Sequence, residues 1–73
     1  MNYIVWGAGK EYIENKHLFN NREYRLVDGQ KEKQGMCLDG IKIEDPHIIN
    51  ESVYDGIIIS TTRYFYEIYY LLI

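Results

Sequence analysis

Apolar and polar positions divide the chain into short extended runs separated by glycines and polar stretches. Asn2-Tyr3-Ile4-Val5-Trp6 is an apolar run closed by Gly7-Ala8-Gly9, and its length and its Ile, Val and aromatic content predict a strand. Lys10 to Asn20 holds good helix formers with a ragged stripe at Tyr12, Ile13, Leu18 and Phe19, which predicts a helix stopped at Asn20-Asn21. Tyr24-Arg25-Leu26-Val27-Asp28 predicts a second strand, closed by Gly29. Gln30 to Gln34 is polar and predicts an exposed loop, with Gly35 and Gly40 as further breaks. Ile41-Lys42-Ile43 alternates apolar and charged, the pattern of a short edge strand with one side in water. Asp45 is placed to cap a short helix beginning at Pro46, because proline suits the first helical position. Ile57-Ile58-Ile59 is continuously apolar, as a central parallel strand should be. Ser60-Thr61-Thr62 offers hydroxyls to cap a last helix, in which Phe65, Ile68, Tyr69 and Leu72 form a helical stripe.

The order strand-helix-strand-strand-helix-strand-helix has connections too long for a meander of hairpins. Right-handed crossovers stack such strands into one parallel sheet with helices on its faces. The expected class is α/β: half of a doubly wound fold, with a short parallel sheet of about four strands in the order 3-2-1-4.

Composition narrows the setting. The chain has 73 residues, 47% apolar and 26% charged, a globular balance with room for one domain. A chain of this size buries only about 60% of its unfolded surface, so its core is small. Cys37 stands alone, which excludes an intrachain disulfide and multi-cysteine zinc sites. With no histidine or paired base near it in sequence, it reads as a buried or half-buried thiol. His17 and His47 fall on different segments without ligand spacing, which speaks against a metal site. Eight basic against eleven acidic residues give a net charge of −3, without a basic block to grip a nucleic-acid backbone. The apolar stretches fall far short of the ~20 residues of a membrane helix, and the N-terminus lacks the features of a signal peptide. The expected environment is the cytoplasm.

The first candidate for chemistry is Gly7-Ala8-Gly9-Lys10, directly after a strand and opening a helix. Glycines allow a tight turn and close approach to a phosphate, and Lys10 can neutralise a bound phosphate. Asp28 follows nineteen residues after Gly9, at the end of the next strand, where an acid would accept hydrogen bonds from a ribose. The dinucleotide fingerprint needs a third glycine at position 12, and this chain has Tyr12. A side chain that large pushes the helix away from the strand or demands a different crossing. The competing reading is a tight turn that binds nothing, with Lys10 solvated and Asp28 a strand-end turn residue. Ser60 and Thr61 end the most apolar strand and, in the order 3-2-1-4, lie beside the glycine turn; their alternative role is to cap the last helix. No nucleophile elbow, acid–base pair or metal set is assembled, so no catalytic residue is assigned.

Tyr64, Phe65, Tyr66, Ile68, Tyr69, Tyr70, Leu71, Leu72 and Ile73 make the last predicted helix apolar on nearly every side. A helix on one face of a small sheet keeps a polar outer face, so this one is expected to bury its far side too. Self-association, or docking to a companion domain, is expected through Tyr66, Tyr69, Tyr70 and Ile73.

Ile4-Val5-Trp6-Gly7-Ala8-Gly9-Lys10, Asp28, Lys33-Gln34-Gly35, Asp39-Gly40-Ile41-Lys42-Ile43, Tyr54-Asp55-Gly56-Ile57-Ile58-Ile59-Ser60 and Tyr66-Glu67-Ile68 follow in an order that resembles a family. It is that of the small Rossmann-like nucleotide- or CoA-binding-type modules attached to bacterial enzymes of surface-polysaccharide synthesis: glycosyltransferases, sugar acyltransferases, phosphocholine transferases and methyltransferases. The resemblance implies a Rossmann-like half-domain whose ligand is NAD, a nucleotide-sugar or a CoA-like molecule. It implies phosphate binding at Gly7, Ala8, Gly9 and Lys10, ribose binding at Asp28, and a pocket rim at Ser60 and Thr61. It carries no catalytic residue, since chemistry resides in the companion domain. Such modules continue past the last helix into another strand, so with the end at Ile73 the resemblance implies a domain truncated at its C-terminus or a fragment of a longer protein. The alternative is a structural or oligomerisation module that keeps the fold without a ligand.

Overall fold

The computed structural model describes residues 2–18, 23–51 and 53–61. Five strands form one mixed sheet: β1 (Asn2–Trp6), β2 (Glu23–Val27), β3 (Cys37–Leu38), β4 (Ile41–Glu44) and β5 (Gly56–Ile59), in the order β3-β4-β2-β1-β5. β1 pairs in parallel with both β2 and β5, and β2 pairs in parallel with β4. β3 pairs antiparallel with β4.

The architecture is α/β, with two corrections to the sequence reading. The sheet has five strands rather than about four, and its order departs from 3-2-1-4 because β3 is added outside β4. It is mixed rather than parallel. The cause is local: Leu38 pairs with Ile41 across Asp39-Gly40, both with positive φ, 54° and 81°, the two-residue turn that matches strand twist and closes a hairpin. That hairpin also moves Ile41-Lys42-Ile43 off the sheet's edge, where its alternation had suggested it would lie. β5 ends the strand order, where 3-2-1-4 also put it, and although its three isoleucines have the pattern of a central strand, all four of its residues are only half-buried.

The helices are shorter than expected. α1 spans Lys10–Asn15, and a 3-10 turn over Lys16–Leu18 follows it. Pro46–Asn50 is a 3-10 helix, capped as anticipated by Asp45, whose carboxylate accepts from the His47 amide at 2.9 Å. The predicted last helix, with Tyr66, Tyr69, Tyr70 and Ile73, lies outside the described residues, and so does Thr62.

The core explains the order. Successive strand residues face opposite sides of a sheet, and the two central strands are apolar on both. On one side Val5, Leu26 and Ile43 pack with Ala8 and Tyr12 from the β1–α1 segment. On the other, Ile4 and Val27 pack with Ile48 from the 3-10 helix. Ile4, Val5, Leu26 and Val27 are at most 1% exposed, so β1 and β2 must lie side by side in the middle. At the β4 side, Arg25 forms an exposed ion pair with Glu44 on the neighbouring strand.

Tyr12 occupies the position at which a third glycine was missing. It neither protrudes nor leaves a gap: it is 1% exposed, and its hydroxyl shares a 2.5 Å hydrogen bond with that of Tyr24. The rings meet edge to face at 6.3 Å, a geometry aromatic pairs favour. Burial, and then the Tyr24 hydroxyl, push the Tyr12 phenol well above the ordinary tyrosine range. The ring is thus a core element of the α1 side of the sheet.

Candidate functional site

The carboxyl ends of β1, β2 and β5 converge on the glycine turn. As β1 ends, the Gly7 amide donates to the Val27 carbonyl at 2.9 Å and the Ser60 amide donates to the Trp6 carbonyl at 2.9 Å. Gly7 has φ +119°, and a Cβ there would lie 2.6 Å from Ser60 Oγ. Any side chain would therefore be strained and would collide with β5's end. Ser60 Oγ donates its one proton towards the Gly7 carbonyl at 2.7 Å, with the Trp6 carbonyl a second acceptor within reach at 3.2 Å. Its hydroxyl is tied to β1. Thr61 lies against the same glycine.

Asp28, at the end of β2, crosses to this turn. Its Oδ2 accepts from the Ala8 amide at 2.9 Å and its Oδ1 from the Gln30 amide at 2.8 Å. The residue is 9% exposed. A buried carboxylate is tolerated when donors satisfy it, and here one side chain fixes both the turn after β1 and the turn after β2. Gln34 Nε2 closes the second turn by donating to the Asp28 carbonyl at 2.9 Å.

The structure thus brings Gly7, Ala8, Gly9, Asp28, Ser60 and Thr61 together. Lys10 stands apart: its side chain is 89% exposed and its ammonium lies 3.8 Å from Glu14, one helical turn on. Lys33, which reads in the sequence as part of a solvated loop, belongs to the site instead. Its ammonium lies 3.8 Å from Asp28 Oδ2 and 3.7 Å from where a Cβ would stand at Gly9. The Asp28-Gly29-Gln30 turn, in which the Asp28 side chain accepts from the Gln30 amide, leads the loop back over the strand end, but the polar pattern of the loop itself gave no sign of it.

Elsewhere, a groove of about 440 Å³ opens at the amino ends of β1 and β2, with Asn2, Tyr3, Tyr24, Arg25 and Tyr54 in its lining. It lies at the opposite end of the strands from the glycine turn, whereas open α/β sheets hold their ligands at the carboxyl ends. Cys37, expected to be at least half-buried, is exposed on β3, a two-residue outer strand that nothing among the described residues covers at this position. Among the described residues no group of three or more His, Cys, Asp and Glu side chains gathers for a metal, and no helix is long and apolar enough to cross a membrane.

Fold and site together define a small α/β domain with an acid-anchored glycine turn. All of it, residues 1–73, matches the family described as C2185-like, N-terminal, and the chain belongs to that family. No curated protein and no solved structure matches it.

Proposed function

We propose that the chain is a Rossmann-like ligand-binding module that holds the phosphate end of a nucleotide, sugar nucleotide or CoA-like molecule at Gly7–Lys10. The observation that carries this reading is the convergence of three strand ends on a glycine turn anchored by Asp28, where ligands of open α/β sheets bind. The first turn of α1 leaves the Gly9 and Lys10 amides without acceptors from within the helix. Asp28 already accepts two amide protons, so its part is to set the turn, and Ser60 and Thr61 form the rim. The resemblance to modules of bacterial surface-polysaccharide enzymes supplies the setting: an accessory domain in the cytoplasm whose companion performs the chemistry.

Titration of the chain with NAD, UDP-glucose and coenzyme A, followed through the amide resonances of Gly7, Gly9, Lys10 and Thr61, tests the reading. Saturable shifts confined to those residues are expected with one of the three. An unchanged spectrum at millimolar ligand overturns it. A second reading, a structural module without a ligand, is favoured by the internal hydrogen bonds to both oxygens of the Asp28 carboxylate and by Tyr12 filling the core. Under that reading Gly9→Val changes stability alone; under the first it also removes the ligand-induced shifts.

A further inference from the structure

The two glycines of the turn differ in what the fold asks of them. Gly7 is required by its backbone angle and by Ser60. Gly9 is not: its φ is −115° and its ψ −156°, extended backbone open to other residues, and the nearest atom to a Cβ there is Lys33 Nζ at 3.7 Å, an ordinary contact. Neither strain nor crowding accounts for a glycine at this position. What its missing side chain leaves is space between the turn and an ammonium group.

That ammonium sits on a fixed stretch of backbone and, among the described residues, makes only a long ion pair, with Asp28. The Lys33 backbone is fixed on both sides, its amide donating to the Gln30 carbonyl at 3.0 Å and its carbonyl accepting from the Met36 amide at 3.1 Å. Its side chain is 32% exposed. At 3.8 Å from Asp28 Oδ2 it lies beyond hydrogen-bond reach, and among the described residues its three donors meet no acceptor. The Asp28 carboxylate, meanwhile, already accepts from the Ala8 and Gln30 amides.

We propose that Lys33 is the specificity-determining residue of the glycine-turn site, selecting phosphate-bearing ligands over their phosphate-free counterparts by placing its ammonium in the gap left by Gly9. This rests on the binding reading above and names the part of the ligand that is read. A lysine presents a point charge with three donors and no acceptor, so it recognises phosphate oxygens and gains nothing from a nucleoside's sugar and base alone. Lys10, extended into solvent beside Glu14, does not stand over the turn.

The test compares ADP and UDP with adenosine and uridine on the wild-type chain, Lys33→Met and Lys33→Arg, by amide shifts, with a thermal melt of each to establish folding. Because Lys33 is a surface loop residue, Lys33→Met is expected to fold. It should bind the diphosphates about tenfold or more weakly, the scale of one charged hydrogen bond. Its preference over the nucleosides should vanish, while Lys33→Arg retains most of it. Diphosphate affinity of the wild type should also fall as salt rises, and that slope should flatten in Lys33→Met. If the wild type binds diphosphates and Lys33→Met binds them equally well, the assignment of Lys33 is overturned while the binding reading stands. If the wild type binds none of these probes, nor NAD, UDP-glucose or coenzyme A, both fall together.

Discussion

Asp28 carries more of the site's architecture than any other single side chain. Its two oxygens terminate the amides of Ala8 and Gln30, one in each of the turns that follow β1 and β2. Replacing it with alanine leaves a buried donor without an acceptor, which costs about 1–3 kcal/mol. Urea denaturation of Asp28→Ala should show a loss of that size, and Asp28→Asn, which keeps one oxygen, a smaller one. Tyr12 makes a different prediction, one about pH. Its phenol is held protonated in the fold by burial and by Tyr24, while in the unfolded chain it ionises at about pH 10. A group whose folded pKa is raised contributes stability that is complete below the unfolded value and is lost as pH rises towards the folded one. Stability should therefore fall as pH climbs above about 10, and Tyr12→Phe should flatten that fall. Denaturation midpoints measured from pH 8 upward on the two proteins decide it.

Among the elements, the strands were the most legible in the sequence. Runs such as Asn2–Trp6 and Ile57–Ile59 carry length, β-branching and bounding glycines together, and these mark strands even where, as in β5, burial is only partial. β3 was hidden because two residues, Cys37-Leu38, hold no period; only the Asp39-Gly40 pair, a hairpin turn signal, marked it. The meeting of the glycine turn with Asp28 was legible because parallel neighbours joined by a helix place their carboxyl ends side by side. Lys33 was not, since a polar loop gives no sign in its pattern of whether it folds back. Tyr12 misled for a related reason: spacing shows that glycine is missing, but not that the ring finds a place in the core. Gly7, by contrast, can be tested as an element boundary. Gly7→Ala forces a side chain onto φ +119° and towards Ser60 Oγ, so a loss of about 1–3 kcal/mol is expected. Resonances of Ser60 and Thr61 should shift along with those of β1.

For the molecule as a whole, stability rests on a few residues. Leu26 is fully buried in the central strand β2, and Leu26→Ala should cost about 2–5 kcal/mol. For a domain whose total stability is on the order of 5 kcal/mol, that is enough to replace a cooperative thermal transition with a broad, shallow one. The Arg25–Glu44 pair across β2 and β4 acts at the margin. The Arg25 guanidinium holds the Glu44 carboxyl below its ordinary range, so its contribution is present above the unfolded value of about 4.3 and is lost as pH falls through the folded one. Exposure and screening keep that contribution under about 1 kcal/mol, and the difference between wild type and Glu44→Gln should shrink as pH falls below about 4.3 in 0.15 M salt.

The place of β1 has a consequence in time. This strand leaves the ribosome ahead of both its neighbours, β2 and β5, and β5 follows about fifty residues later, several seconds at ordinary rates of synthesis. Until then one long side of the nascent sheet offers unpaired amides and carbonyls around Ile4 and Val5, the kind of edge that templates pairing with other chains. Folding of the sheet cannot advance strand by strand in chain order; β1 waits for β5, and closing so long a loop is slow. Nascent chains arrested before Gly56 should consequently be cleaved readily by protease within β1 and aggregate on release. Those arrested with β5 clear of the exit tunnel should be protected there.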